Sequence, residues 1–359
     1  MSSISCGIVG LPNVGKSTIF NTLTKAQALV ANYPFATIEP NVGIVNIPDR
    51  RLDKLAQLYD TEKIVPATVS FTDIAGLVAG ASTGAGLGNQ FLSHIRTCST
   101  IVHVVRAFED NNVTHVEAIP DPKRDIDIIN TELCLADHKT LTNHLVKLEK
   151  EAKADPKLKP MLELCNKAIS LLNDGKTLNN YPEFKELKEL NLITLKPVLY
   201  LFNLDENGLT DSSLQMELKQ IVAPQKATFI CAKLESELID LTEVDQLEFL
   251  SSYNQSEPSL SSLIKDAYNL LGLHSYLTAG KKEVRAWTIP IGAKAPQAAG
   301  VIHSDFEKGF IAAEVVKYDD LIECGSISQA RASGKARLEG KEYVVKDDDV
   351  IEFRFNKSK

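Results

Sequence analysis

Gly10-Leu11-Pro12-Asn13-Val14-Gly15-Lys16-Ser17-Thr18 is the stretch that decides the fold. A short apolar run (Ile4, Cys6, Ile8, Val9) precedes it and a helical pattern (Ile19, Phe20, Leu23) follows, so the order is strand, glycine loop, helix. The spacing Gly-x4-Gly-Lys-Ser is that of a phosphate-binding P-loop. Its glycines let the backbone curl until successive N–H groups face the phosphates, and the helix N-terminus adds a favourable dipole. In that motif Lys16 reaches the β and γ oxygens and the Ser17 hydroxyl binds Mg²⁺. By ordinary residue frequencies the pattern arises by chance about 0.01 times in a chain this long. An unrelated glycine turn is the weaker reading.

Outward from the loop, residues 67–72 read as a β-strand that delivers Asp73-Ile74-Ala75-Gly76 at its carboxyl end, where ligands bind in open α/β sheets. Asp73 is placed to hold a metal through water and Gly76 to offer its N–H to a γ-phosphate. Gly80, Gly84, Gly86 and Gly88 give the segment after it the freedom a nucleotide-sensing switch needs. Between these motifs, Asn32-Tyr33-Pro34-Phe35-Ala36-Thr37-Ile38-Glu39-Pro40-Asn41 carries Thr37, the candidate second metal ligand; the alternative is an ordinary loop hydroxyl. A strand at 198–202 ends in Asn203-Leu204-Asp205-Glu206, and a strand at 228–231 ends in Ala232-Lys233. These occupy the two base-recognition slots of regulatory GTPases. The guanine signature there is Asn-Lys-x-Asp, whose aspartate accepts two N–H groups of the base. Here Leu204 replaces the lysine and Glu206, one methylene longer, replaces the aspartate. A mispaired polar group costs about 1–3 kcal/mol, so the chemistry alone puts guanine in doubt.

The chain has 359 residues, 39 Lys and Arg against 47 Asp and Glu, and a net charge of −8. Its length suits two or three domains, and 44% hydrophobic with 24% charged residues excludes disorder and collagen. Six cysteines without a Cys-x-x-Cys pair argue against a disulfide framework or a zinc knuckle and read as reduced, mostly buried thiols. Met1-Ser2-Ser3-Ile4-Ser5 lacks a signal-peptide pattern, and no apolar run approaches the roughly 20 residues of a membrane span, so a cytoplasmic, membrane-free protein is expected. The acidic balance speaks against nucleic-acid binding over the whole surface and leaves room for a local basic patch.

Five motifs together resemble the YchF subgroup of the Obg-related P-loop hydrolases, the Obg-like ATPases. They are the P-loop at 10–17, the segment at 32–41, Asp-Ile-Ala-Gly-Leu-Val at 73–78, Ile-Asn-Thr-Glu-Leu at 129–133 and His-Ser-Asp-Phe-Glu-Lys-Gly-Phe at 303–310. The likeness covers essentially the whole chain. It implies that ATP phosphates meet Asn13, Val14, Gly15, Lys16, Ser17 and Thr18, that Mg²⁺ meets Ser17 and Thr37, and that Asn203 bonds adenine with Leu204 against the base. It further implies an α/β P-loop NTPase G domain with a predominantly parallel sheet (1–121 and 193–277), an inserted α-helical coiled-coil hairpin (122–192) and a C-terminal β-grasp (TGS) domain (278–359).

Composition supports the same division. Apolar residues recur at helical spacing through Leu141, Leu145, Leu148, Leu162, Cys165, Ile169 and Leu172 around Asp155-Pro156. The expected tip carries Lys147, Lys150, Lys153, Lys157 and Lys159 among Glu149, Glu151 and Asp155. It is a solvated mixed-charge face or an electrostatic arm for RNA or another acidic partner. From about Thr278 short β-like runs are expected at 284–289, 310–316, 343–345 and 350–355. Residues 278–359 hold 14 Lys and Arg against 13 Asp and Glu, a net +1, which leaves −9 for the first 277. Arg331, Lys335, Arg337 and Lys341 are candidate phosphate contacts, or scattered surface charge.

The expected activity is Mg²⁺-dependent ATP hydrolysis by in-line attack of water, coupled to binding of the ribosome (its large subunit or the whole particle), with RNA as a possible contact and a monomer as the expected state. The rivals are a GTPase of the same fold and a slow-hydrolysing nucleotide-gated ribosome- or RNA-binding module. Leu77 stands where many GTPases have a water-orienting glutamine. The P-loop, Lys16 and Mg²⁺ would still stabilise transition-state charge, and Lys16, Asp73 and Gly76 are the catalytic candidates. His115, K⁺ held near Asn13, or a partner is the candidate substitute for the glutamine.

Overall fold

Ser5–Val9 forms β1, and all five of its residues are buried, the mark of a strand covered on both faces of a parallel sheet. This is a computed structural model, and it describes residues 5–28, 42–74, 87–110 and 120–356. The further strands in chain order are β2 (Val42–Asn46), β3 (Ile64–Val65), β4 (Thr68–Asp73), β5 (Thr100–Arg106), β6 (Val198–Asn203) and β7 (Lys226–Ile230). β1 and five of these make one sheet in the order β2-β4-β1-β5-β6-β7. β1 runs parallel to β4 and β5, β5 to β6, and β6 to β7, so these strands end on the same edge. The sheet is the predominantly parallel one expected, and β5 and β6 are buried along their whole length.

The helical insertion has its own core. Asp121 accepts the Arg124 N–H at 3.1 Å and Pro122 occupies the first turn, which starts the helix Pro122–Ala154. It ends where Asp155 caps Lys157 and Pro156 cannot continue, and the return helix is Lys159–Asn173. Leu141 and Leu148 pack with Cys165, Ala168 and Leu172 between the helices, and Phe184 and Leu187 close the layer. The five expected tip lysines are all exposed, as are Glu149, Glu151 and Asp155. A buried carboxylate anchors the insertion. Asp137, fully covered, accepts the Thr194 N–H at 2.7 Å and the Thr194 hydroxyl at 2.8 Å, and lies 3.5 Å from the Arg96 guanidinium. Arg96 also donates to the Asn191 carbonyl.

By its internal packing the chain divides into two compact units, residues 1–45 with 70–267, and residues 46–69 with 268–359. The second unit holds β8 (Leu273–Ala279), β9 (Val284–Pro290), β10 (Phe310–Lys317), β11 (Arg337–Glu339) and β12 (Asp349–Phe355), in the order β11-β10-β12-β8-β9-β3. The first and last of these, β8 and β12, lie side by side and parallel, and antiparallel partners flank them. That is a β-grasp sheet, and the helix Ala295–Ile302 packs its alanines on Tyr276, Ile289 and Val315. β3 adds a sixth strand beside β9, joined by the Glu62 N–H to the Lys281 carbonyl and the Val284 N–H to the Lys63 carbonyl. Residues 46–69, which the sequence reading left in the nucleotide-binding part, thus pack with the C-terminal module. The expected boundary at 278 falls inside β8. The expected run at 343–345 is an isolated bridge from Val344 to Lys294 rather than a strand.

All six cysteines are free and five are buried. Among the described residues no helix is long and apolar enough to cross a membrane. Three of the four C-terminal candidate phosphate contacts are already paired: Arg331 with Glu314, Lys335 with Asp320 and Glu323, and Arg337 with Glu339.

Removing the Asp137 carboxylate strands the buried Thr194 N–H. Asp137→Ala is expected to cost about 2–4 kcal/mol in urea unfolding, and Asp137→Asn, which keeps an acceptor, clearly less. Equal losses for the two variants would refute this anchor.

Candidate functional site

The P-loop leaves β1 as a tight turn because the neighbouring strand leaves no room for side chains. A Cβ on Gly10 would stand 2.6 Å from the Val104 carbonyl oxygen of β5. Asn13 and Gly15 both take positive φ, 62° and 96°. Asparagine tolerates that region and glycine populates it freely. At Gly15 space is forbidden as well, since a Cβ would meet Asn203 Nδ2 at 2.4 Å. The chain then enters the helix Lys16–Ala28 with the Ile19 N–H on the Gly15 carbonyl.

Lys16 is 8% exposed, and Ser17 and Thr18 point outward on the same turn. Burial pushes the Lys16 ammonium below the usual lysine range while the charge of Asp73 pulls it back. Burial likewise pushes the Asp73 carboxyl up, opposed by Lys16. The Asp73 Oδ1 is buried with no hydrogen-bond partner. Such an orphan acceptor is costly unless a cation or ordered water meets it. Together with the exposed Ser17 hydroxyl it offers oxygen donors of the kind a hard cation such as Mg²⁺ takes. Among the described residues no group of three His, Cys, Asp or Glu forms a metal site by itself. A P-loop metal does not need one, since phosphate oxygens and water complete its shell.

Asn203, 4% exposed, sits at the end of β6 and spends its amide on the backbone. Its Nδ2 donates to the Val14 carbonyl at 3.0 Å, and its Oδ1 accepts the Ala232 N–H at 3.0 Å. Ala232 opens the helix Ala232–Leu238, so this bond satisfies one of the N–H groups that a helix start leaves without an intrahelical partner. The amide expected to read the base therefore also braces phosphate loop and base loop against each other. Leu204 is 2% exposed, covered by the turn at Gly208, where a Cβ would lie 3.2 Å from Leu204 Cβ. Little of its side chain is left to lie against a base. Glu206 is paired with Lys233 at 3.0 Å on the rim.

Between these loops lies a cleft of about 610 Å³ that runs from Asn13, Gly15 and Thr18 to Asn203, Glu206 and Lys233. Its remaining wall, Phe108, Glu109 and Asp110, was not singled out from the sequence. The signal was available, because these residues follow the carboxyl end of β5, where open α/β sheets bind ligands. The structure thus brings Asn13, Val14, Gly15, Lys16, Ser17, Thr18, Asp73, Asn203 and Leu204 to one edge of the sheet. Thr37, Gly76, Leu77 and His115 lie outside the described residues.

Comparison with known proteins gives consistent matches. Residues 5–167 match a family model described as a 50S ribosome-binding GTPase, and residues 273–356 match the YchF-GTPase C-terminal model, described as a protein of unknown function. A Bacillus subtilis relative named Ribosome-binding ATPase YchF is 50% identical over 99% of this chain and 100% of its own. A Haemophilus influenzae relative of the same name is 49% identical over 98% and 99%. The solved structure of the Schizosaccharomyces pombe YchF GTPase superposes with a TM-score of 0.86 at 38% identity, covering 99% of this chain and 98% of that one.

Two outcomes are expected of this geometry. Asn203→Asp keeps the acceptor for Ala232 but loses the donor to Val14, and is expected to weaken nucleotide binding by about tenfold or more, measured by titration calorimetry. The second concerns Glu235, on the helix that starts at the cleft. It is 2% exposed, accepts the Ser259 N–H at 2.6 Å, and is pushed by burial to a pKa of about 7. A carboxyl raised on folding adds stability in its protonated form, fully present below its unfolded value and lost as pH rises through 7. Glu235→Gln should therefore stabilise the protein by about 1–3 kcal/mol at pH 8 and hardly at pH 4.5. Thermal unfolding at the two pH values checks the sign.

Proposed function

The chain belongs to the YchF family, and from that premise we propose that it is a ribosome-binding, Mg²⁺-dependent ATPase that cleaves the β–γ phosphoanhydride of ATP. The observation that carries the reading is the buried Lys16 of the P-loop together with the half-buried Asp73 at the end of β4, whose Oδ1 is covered and has no hydrogen-bond partner. Backbone N–H groups of the loop and the Lys16 ammonium would hold the phosphates, and Ser17, Thr37 and Asp73 are the residues that would hold the metal, Asp73 through water. A Mg²⁺ ion held there would supply positive charge against the charge that develops on the phosphates. Gly76 donates its N–H to the γ-phosphate. Leu77 cannot polarise water, so orientation of the nucleophile falls to His115, to K⁺ beside Asn13, or to the ribosome. Preorganised charge stabilisation at Lys16 supplies the larger part of the catalysis.

Adenine is favoured because the groups that read guanine are changed or occupied: Glu206 is paired to Lys233, and Leu204 is buried where a lysine would lie along the base. GTP is the second reading, since the matching family model and the yeast protein are both named GTPases. RNA contact belongs to the exposed lysines at the tip of the helical arm, because three of the four C-terminal candidate contacts are already paired with carboxylates. Partnership with ribosomes implies a cytoplasmic place, and a monomer suffices for the chemistry.

Competition binding should give ATP at least about tenfold tighter than GTP, a difference of about 1.4 kcal/mol. A GTP affinity equal to or above that for ATP would falsify the adenine assignment. Lys16→Ala should lower single-turnover hydrolysis by about 10²–10³-fold, the scale of losing one preorganised charge contact. In sucrose gradients the wild type should co-sediment with ribosomes in a manner that depends on the bound nucleotide, and Lys16→Ala should lose that dependence. Equal rates in K⁺ and Na⁺ would dismiss the monovalent ion, and an unchanged rate in His115→Ala the histidine.

A further inference from the structure

Arg106, the last residue of β5, is the largest fully buried side chain of the described residues, 1% exposed. A guanidinium taken out of water is costly unless its N–H groups are met. Here they turn forward onto the chain that leaves the strand: Nε donates to the Phe108 carbonyl at 3.2 Å and Nη2 to the Asp110 carbonyl at 3.2 Å. The guanidinium carbon also stands 4.4 Å from the centre of the Phe108 ring, within cation–π range. One side chain thus binds two carbonyls and one ring of the three-residue stretch that follows the end of β5. Those three residues, Phe108, Glu109 and Asp110, form the cleft wall across from Glu206 and Lys233. The neighbouring strand supplies the matching point, because Arg106 pairs in register with Asn203.

We propose that Arg106 is a positioning residue for nucleotide recognition, which fixes the 108–110 wall so that the base meets a preformed aromatic face. The inference rests on reading this cleft as the nucleotide site. The carbonyls and the ring that Arg106 holds belong to the 108–110 wall, so its loss should be felt by the base more than by the phosphates.

The experiment measures Mg-ATP and Mg-tripolyphosphate affinities by calorimetry for wild type, Arg106→Met, Phe108→Ala and the double variant. Wild type should bind ATP more tightly than tripolyphosphate. Arg106→Met should weaken ATP about tenfold and change tripolyphosphate less than about twofold, on the scale of one lost base–aromatic stack. The double variant should lose little more than Phe108→Ala alone, since the arginine acts through that ring. Parallel losses of ATP and tripolyphosphate, or unchanged ATP binding, or additive losses in the double variant, each overturn the role of Arg106. Wild type binding both ligands equally instead removes the nucleotide reading of the cleft, and the proposal with it. Should Arg106→Met not fold, Arg106→Lys carries the same comparison, with the charge kept and one carbonyl still in reach.

Discussion

The two ends of the nucleotide cleft are held together by a single carboxamide. Asn203 donates to Val14 in the phosphate loop and accepts from Ala232 at the head of the base-side helix, and Gly15 lies so close that no side chain could replace its hydrogen. Neither loop has a sheet partner at that point. Each hydrogen bond alone is worth about 1 kcal/mol net, but removing the amide leaves two buried backbone groups unmet, and that asymmetry makes the position hard to substitute. The positive φ of Gly15 follows from the same constraint. The loop must turn its carbonyls inward to Asn203 and the helix start, which frees its N–H groups to face an anion.

The constraint is possible because the strands beneath it are rigid and in register. β5 and β6 are buried from end to end, and Arg106 stands opposite Asn203. The Ala107 N–H donates to the Asn203 carbonyl at 2.8 Å, so the last rung of the ladder lies directly under the cleft. The helical insertion, which leaves and re-enters the chain between these two strands, is tied back by Asp137, Thr194 and Arg96 on buried hydrogen bonds. Lys196, just before β6, donates to the Arg96 and Cys98 carbonyls just before β5. Both strands are therefore pinned at their amino ends by one polar cluster and at their carboxyl ends by the cleft.

What was legible in the sequence was local. The P-loop, Asp73 and the hairpin at Pro156 each declare themselves within about a dozen residues through spacing, a cap or a helix breaker. What escaped depends on residues far apart. β8 was cut at 278 because its early residues, Leu273, His274 and Ser275, lack clean alternation, and only pairing with β9 and β12 makes them a strand. Residues 46–69 sit between two nucleotide motifs in the chain, yet Arg51 reaches the Asp347 carbonyl at 2.6 Å and Thr61 the Gly280 carbonyl at 2.9 Å. No periodicity announces a partner nearly three hundred positions away. Asn203 was found by motif, but its structural duty was hidden, because that duty is to backbone atoms, which carry no sequence signature.

Selectivity for the base follows from where charge is left free. Reading guanine takes a carboxylate that is preorganised and unengaged, because it must accept two N–H groups at once. Glu206 is longer by a methylene and leans to Lys233, the two side chains being 41% and 72% exposed respectively. An exposed ion pair is worth at most about 1 kcal/mol, so the pair does not itself select adenine. Its effect is to leave the rim without a fixed acceptor. On the proposed reading recognition shifts to what is fixed, the half-buried Phe108 with the guanidinium of Arg106 against its ring, and the strand-end loops held by Asn203. On the proposed reading, a site built this way would read the base by shape and stacking, without the polar penalty that excludes adenine from a guanine site.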